Sequence, residues 1–385
     1  VRAAAYQELY RGFGTRADVL AEIYASRVRD WAEEQVKVRG FRSPISVRNV
    51  ANDVPDAVVE TLLDVIRRNA GIFQRFFQVK ARILGVDTLR RYDLYAPLSA
   101  SEKTYPFGTA VRMIDESFRA FSPLLADQAM RVIGDGHLHA RICPRKMDGA
   151  YCYGVLPGQT PWVLTNYDGR ARDVSTLAHE LGHAVHALMA ADHSVLTFHS
   201  ALPMAETASV FGEMLLTDKL LSEESDPLVR RTLLGAILDD AYATIMRQGY
   251  FVIFEKAAHQ LVLENATPDV LNATYLDNLH EQFRGALTVS DDFAREWTAI
   301  PHIYHTPFYC YAYAFGNLLV LALYRQYQEL GQAFVPSYLR VLTYGGSASP
   351  EHIVREAGFD MTMADFWQSG FDLLSERLAD LEALV

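Results

Sequence analysis

Apolar residues recur at intervals of three and four along most of this chain. In the run VVETLLDVIRRNAGIFQRFFQVKARILGV, residues 58–86, polar residues fill the positions between them. That spacing builds one apolar stripe along an α-helix, so the first quarter, from Arg2 to about Leu89, is predicted to be a helical lobe. A second helical pattern covers roughly 109–132. The period returns from Asp173 onward, over about 173–191, 203–222, 226–263 with room for a break, 268–286, 307–331 and 362–383. Residues 136–167 break it. There HLHARICPRKMDGAYCYGVLPGQTPWVLTNY sets Tyr, Cys, Val and Trp between Gly and Pro turns, the pattern of two or three short strands. The expected class is mainly α, with a small antiparallel β-sheet beside the helix that follows it. The Pro-, Ser- and Tyr-rich passage YDLYAPLSASEKTYPFG, near residues 92–108, is the expected lobe boundary. It separates a helical lobe over 1–95 from a core over 96–385. No internal repeat or low-complexity segment is found.

Bulk properties narrow the function. With 385 residues, half of them hydrophobic, the chain can bury a substantial core. A formal charge of −11 offers nothing to hold a polyphosphate backbone, so nucleic acid is not an expected partner. No apolar run approaches the ~20 residues that span a bilayer. The first residues lack the layout of a signal peptide, and a cytoplasmic location with no membrane partner is expected. Cys143, Cys152 and Cys310 are odd in number, widely spaced and without a Cys-x-x-Cys pair. They are expected to be free and mostly buried thiols rather than disulfides or a thiolate metal cage.

The chemistry concentrates in LAHELGHAVHALMA, residues 177–190. Asp173 or Ser175 suits a helix N-cap, which places His179, Glu180 and His183 one to two turns inside the helix. Residues four apart share a face, so His179 and His183 can offer two imidazoles to one metal ion, with Glu180 beside them as general base. A catalytic zinc site usually takes a third protein ligand. Extension of the motif to Gly and His at 186 and 189 fails, because those positions hold His186 and Met189. The segment ALPMAETASVFGEMLL supplies Glu206 instead, 23 residues after His183 and just inside a helix that Pro203 would open. Glu213 lies on the same face, as an outer acceptor for a ligand or a partner for a basic side chain. His186, one turn past the pair, is read as a packing residue or a support to the ligands.

A second cluster follows in IPHIYHTPFYCYAYAFGN, residues 300–317. His302, Tyr304, His305, Tyr309, Tyr311 and Tyr313 form either an aromatic core strip or a set of polar donors for a reacting oxyanion. Pro307 is expected to open a helix with Tyr309 and Tyr311 in its first turns, leaving His302 and Tyr304 in the loop before it.

Taken together, TLAHELGHAVH, AETASVFGEMLL and PHIYHTPFYCYAYAFGN resemble the M3 family of zinc metallopeptidases, in its oligoendopeptidase F branch. The stretches LGVDTLRRYDLYAPL, GAYCYG, RQGYFVIFE and EAGFDMTMADFW agree, so the resemblance runs nearly end to end. It implies a helical zincin-type peptidase with one zinc ion per chain, cutting short oligopeptides around a deep channel. Carried over by position, His179, His183 and Glu206 would hold the metal, Glu180 would be the general base, and His302 and Tyr311 would stabilise the tetrahedral intermediate, with Tyr309 a rival to Tyr311. Tyr304, Tyr309, Tyr313 and, on the strand before the metal helix, Tyr153 would line the substrate path. The strand around GAYCYGV would pair with an extended peptide through its backbone. Members of that branch are usually longer, so the chain is expected to be the catalytic portion without their N-terminal helical domain. Two other readings stay open, a metallo-carboxypeptidase or dipeptidase and a non-catalytic helical peptide-binding fragment.

Overall fold

A computed structural model describes residues 1–98 and 103–385. Part of the expected boundary passage, residues 99–102, lies outside the described residues. The chain groups into two compact units, each assembled from separated segments. One holds Val1–Leu98, Leu234–Phe315 and Leu374–Val385; the other holds Ser99–Leu233 and Gly316–Leu373.

The first unit is helical, as its periodicity requires. Helix Asp56–Arg68 buries Val58, Val59, Leu62, Leu63, Val65 and Ile66 on one face, and helix Ala70–Leu84 buries Phe73, Phe76 and Phe77. The second of these stops at Gly85, whose φ of 67° is the left-handed conformation that glycine adopts without penalty. Leu89–Arg90 and Leu287–Thr288 make a minimal parallel pair. Two buried ion pairs cross the unit's core. Arg91 donates to Glu296 at 2.9 Å, and Lys80 reaches Asp239 at 2.6 Å and the Leu94 carbonyl at 2.7 Å. Such pairs fix geometry more reliably than they add stability.

In the second unit the strands appear where the helical period failed. Tyr151–Tyr153 runs antiparallel to Trp162–Leu164, as expected. Leu138–His139 joins the other side of Trp162–Leu164 in parallel, so the sheet is mixed rather than wholly antiparallel. The helix after it spans Ala171–Met189 and starts earlier than its sequence suggested. Asp173 is not the N-cap. It sits in the first turn, where its carboxylate accepts from the backbone N–H groups of Asp168 at 2.9 Å and Arg170 at 3.0 Å. The helix Thr207–Glu223 packs across this one at a contact that only glycine allows. A Cβ at Gly182 would stand 2.5 Å from the Ala208 carbonyl oxygen and 2.6 Å from Ser209 Cα. The glycine inside the His-Glu-x-x-His motif therefore sets how closely the helix bearing it meets the next one.

Two other expectations need correction. Pro307 does not open a helix; Pro301–His305 is a short helix carrying His302 and Tyr304, and the long helix begins at Tyr311. Of the three free cysteines only Cys310 is buried, while Cys152 is partly covered and Cys143 is exposed.

Candidate active site

One face of the Ala171–Met189 helix presents His179 and His183 side by side, their Nε2 atoms 3.1 Å apart. Glu206, the N-cap residue of the helix Thr207–Glu223 rather than a residue inside it, turns its Oε2 to 3.3 Å from His179 Nε2 and 3.5 Å from His183 Nε2. Pro203 belongs to the 3-10 turn Leu202–Met204 just before. Zinc bonds of about 2.0–2.1 Å at tetrahedral angles put donor atoms roughly 3.3 Å apart, so the three separations have the dimensions of one four-coordinate site. Among the described residues this is the one cluster of three whose ligand atoms all lie within 4.8 Å.

The surroundings fit that use. His179 Nδ1 is hydrogen-bonded to Glu213, which leaves Nε2 to face the cluster, the arrangement that orients a ligating imidazole. Ser209 donates to Glu206 Oε2 at 2.7 Å, and Tyr338 donates to the Thr207 carbonyl at 2.9 Å, steadying the helix end that carries Glu206. Glu213 had a sequence signal in its spacing from Glu206. Ser209 and Tyr338 had none, since only the packing of the Thr207–Glu223 helix brings them to bear.

Burial would pull His179 below the usual imidazole range. The Glu213 hydrogen bond and the charges of Glu213, Glu206 and Glu180 outweigh it and push it up to about 9. Burial likewise pushes the Glu180 carboxyl up to about 7, against the pull of His179 and with reinforcement from Glu206 and Glu213. His183 is held below its usual value, chiefly by burial. Three carboxylates around two imidazoles make a concavity suited to a divalent cation. Glu180 is 6% exposed, lines the same cavity as His179 and His183, and has its Oε2 buried with no hydrogen-bond partner among the described residues. A cavity of 520 Å³ opens over these groups, walled on the far side by the strand Tyr151–Tyr153. That strand is one of the two outer strands of its sheet, and Tyr151 and Tyr153 are exposed on it.

The late histidine–tyrosine cluster lies in the other unit. His302 Nε2 is 3.2 Å from the Tyr313 hydroxyl, and its ring stacks on Tyr309 with centroids 5.5 Å apart. Tyr311, expected beside His302, is fully buried instead, and its hydroxyl accepts from Asn52 Nδ2 at 2.8 Å. Tyr304 donates its hydroxyl to the Thr298 carbonyl at 3.1 Å. The difference follows from the turn Pro307–Cys310. Phe308 has φ 58°, a conformation that costs a bulky residue on the order of 1–3 kcal/mol. Its N–H donates to buried Glu255 at 3.0 Å, and Arg48 donates to the Pro307 carbonyl at 3.3 Å. With the chain reversed there, Tyr309 faces His302 while Tyr311 turns into the core.

A helical fold in which two histidines of a His-Glu-x-x-His helix meet a glutamate at the N-cap of the next helix has the donor set of a metal-dependent hydrolase. Residues 1–373 match Peptidase family M3, and the chain belongs to that family. It is 29% identical over its whole length to Group B oligopeptidase PepB of Streptococcus agalactiae and 28% identical to an oligoendopeptidase F homolog of Lactococcus lactis. In each case the match spans 64% of the relative, so the chain covers less than two thirds of their length. The crystal structure of oligoendopeptidase-F from Enterococcus faecium superposes with a TM-score of 0.77 at 25% identity, covering 100% of this chain and 63% of that one.

Proposed function

We propose that this chain carries the catalytic centre of a zinc-dependent endopeptidase that hydrolyses short oligopeptides. The observation that carries the reading is the convergence of His179 Nε2, His183 Nε2 and Glu206 Oε2 at tetrahedral spacing, with Glu180 lining the same cavity as the two histidines. The donor set of two imidazoles and a carboxylate is one that zinc favours. When bound, the ion supplies Lewis-acid chemistry, which makes water a nucleophile near neutral pH and polarises the scissile carbonyl.

The chain's own residues do the rest. Glu213 holds His179 in the tautomer that keeps Nε2 free, and Ser209 fixes one oxygen of Glu206. Glu180 takes a proton from the attacking water and passes it to the leaving amine, so no covalent enzyme intermediate is required. The free edge of Tyr151–Tyr153 suits an extended peptide held by backbone hydrogen bonds, which reads conformation more than sequence. Family membership extends the proposal to His302 and a tyrosine as donors to the oxyanion. Tyr309 suits that role better than Tyr311, because its side chain is partly exposed next to His302.

The test is Glu180→Gln, with zinc measured alongside turnover of a quenched peptide. Zinc should stay bound while turnover falls by about two orders of magnitude or more. Undiminished cleavage would remove Glu180 as the base, and a wild-type chain that binds no zinc would favour a peptide-binding role without catalysis. Peptides blocked at both ends separate the endopeptidase from a carboxypeptidase or dipeptidase, since only the former cuts them.

A further inference from the structure

The cavity over Glu180 has an end wall that takes no part in the metal cluster. Past His183, the same face of the helix presents His186 and Ala187, the latter one turn further along. Opposite them the strand leaves Tyr153 at Gly154, where a Cβ would stand 3.2 Å from the Ala187 Cβ and 3.3 Å from the Phe198 ring. Strand, helix and ring therefore close on one another at that point, and Phe198 is the large side chain of the three.

Phe198 comes from the irregular segment between the Ala171–Met189 helix and the Leu202–Met204 turn. Its neighbourhood is solvent-facing, with Leu196 90% exposed and Phe198 itself only 3% exposed. A loop of that kind needs an external hold to keep one ring turned inward, and it has one. Gly346 N–H donates to the Thr197 carbonyl at 2.9 Å, and His193 Nε2 lies 2.7 Å from the Thr343 carbonyl. A Cβ at Gly345, whose φ is 50°, would stand 2.7 Å from the carbonyl oxygens of both Thr197 and Phe198, and one at Gly346 would overlap the His199 carbonyl oxygen. Backbone is thus packed on backbone from residue 197 to residue 199, with no space for a side chain on the clamping strand of chain.

The subsite so enclosed is narrow. It is bounded by the Phe198 ring, the Ala187 methyl and the buried imidazole of His186. One helical turn from a metal ligand is the reach of a single substrate side chain flanking the scissile bond, given ~3.4 Å per residue in an extended peptide. We propose that Phe198, held by the Gly345–Gly346 backbone clamp, limits the substrate residue on one side of the scissile bond to a small side chain. This rests on the peptidase reading above.

The experiment compares the zinc-loaded wild-type chain with Phe198→Ala, Phe198→Leu and Gly346→Ala, using two readouts. One is a mixed peptide library with cut sites mapped by mass spectrometry. The other is the affinity of paired peptide hydroxamates that differ only in a small or a bulky flanking side chain, which needs no turnover. Phe198→Ala should shift the bulky-to-small ratio at one flanking position by tenfold or more in both readouts. Phe198→Leu, which keeps an apolar side chain in place, should shift it less, and Gly346→Ala should shift it in the same direction by moving the wall. An unchanged ratio in all three variants overturns the proposal while leaving the peptidase reading intact. Hydroxamate ratios that shift in the variants while the wild-type chain cuts no peptide would uphold the wall and overturn the peptidase reading instead.

Discussion

His179 spends its two ring nitrogens on two different glutamates, Nδ1 on Glu213 and Nε2 toward Glu206 at 3.3 Å. The Glu213 contact fixes both the ring's orientation and its tautomer before any ion arrives. Glu213→Ala is therefore expected to weaken zinc binding by about 10–100-fold. Competition with a chromogenic chelator measures this directly, and an unchanged affinity would show that packing alone holds the ring.

Gly182 stands against Ala208 and Ser209 without room for a methyl group. Gly182→Ala forces the two helices apart, and overpacking of this kind costs about 1–3 kcal/mol. Because the same two helices carry His179, His183 and Glu206, thermal unfolding and zinc content should fall together. A variant that melts earlier but keeps full zinc affinity would separate the helix contact from the site.

Glu255 gives a pH signature. Burial pushes its carboxyl up to about 8, opposed by the Phe308 N–H and by Arg48, with Tyr24, Cys310 and His259 also around it. His259 is pushed down to about 3 by burial and stays neutral through this window. A carboxyl whose folded value lies above its unfolded one favours the fold fully at pH below about 4.5, and that contribution is lost as pH rises through about 8. Glu255→Gln removes the titration and still accepts the Phe308 N–H. Its melting temperature relative to wild type should rise steadily from pH 5 to 8.5, by an amount on the order of a few kcal/mol in stability. A constant offset across that range would place the proton elsewhere.

Tyr309 and Tyr311 are two positions apart and have opposite surroundings. Tyr309→Phe is expected to cut kcat by at least tenfold with a smaller change in KM, because a donor to the oxyanion acts mainly in the transition state. Tyr311→Phe leaves Asn52 Nδ2 without its acceptor in the core, so its main effect should be a stability loss of about 1–3 kcal/mol. The reverse pattern would return the catalytic role to Tyr311.

The three thiols should separate by accessibility. Cys143 is exposed, whereas burial pushes the Cys152 thiol up to about 12, and Cys310 is raised further in the core. Under native conditions one thiol per chain should react rapidly with a disulfide reagent, and the other two only on unfolding.

What the sequence determined by itself is local and periodic. Helix spacing, the strand-forming break before Ala171 and the pairing of His179 with His183 follow from 3.6 residues per turn and from turn chemistry, which nearby residues settle among themselves. The distance from His183 to Glu206 was countable for the same reason. Tertiary structure decided what depends on close contact between distant segments. Leu138–His139 joins in parallel because residues 25 positions away supply its partner strand, and Asp173 caps from within the first turn because the chain before it folds back onto its carboxylate. The left-handed turn at Phe308, stabilised by Glu255 53 residues earlier, sends Tyr309 toward His302 and Tyr311 into the core. Phe198 turns inward only because Gly345 and Gly346, far along the chain, leave space for its backbone. Such contacts depend on sub-ångström fit between segments, and a hydrophobic pattern carries no record of that fit.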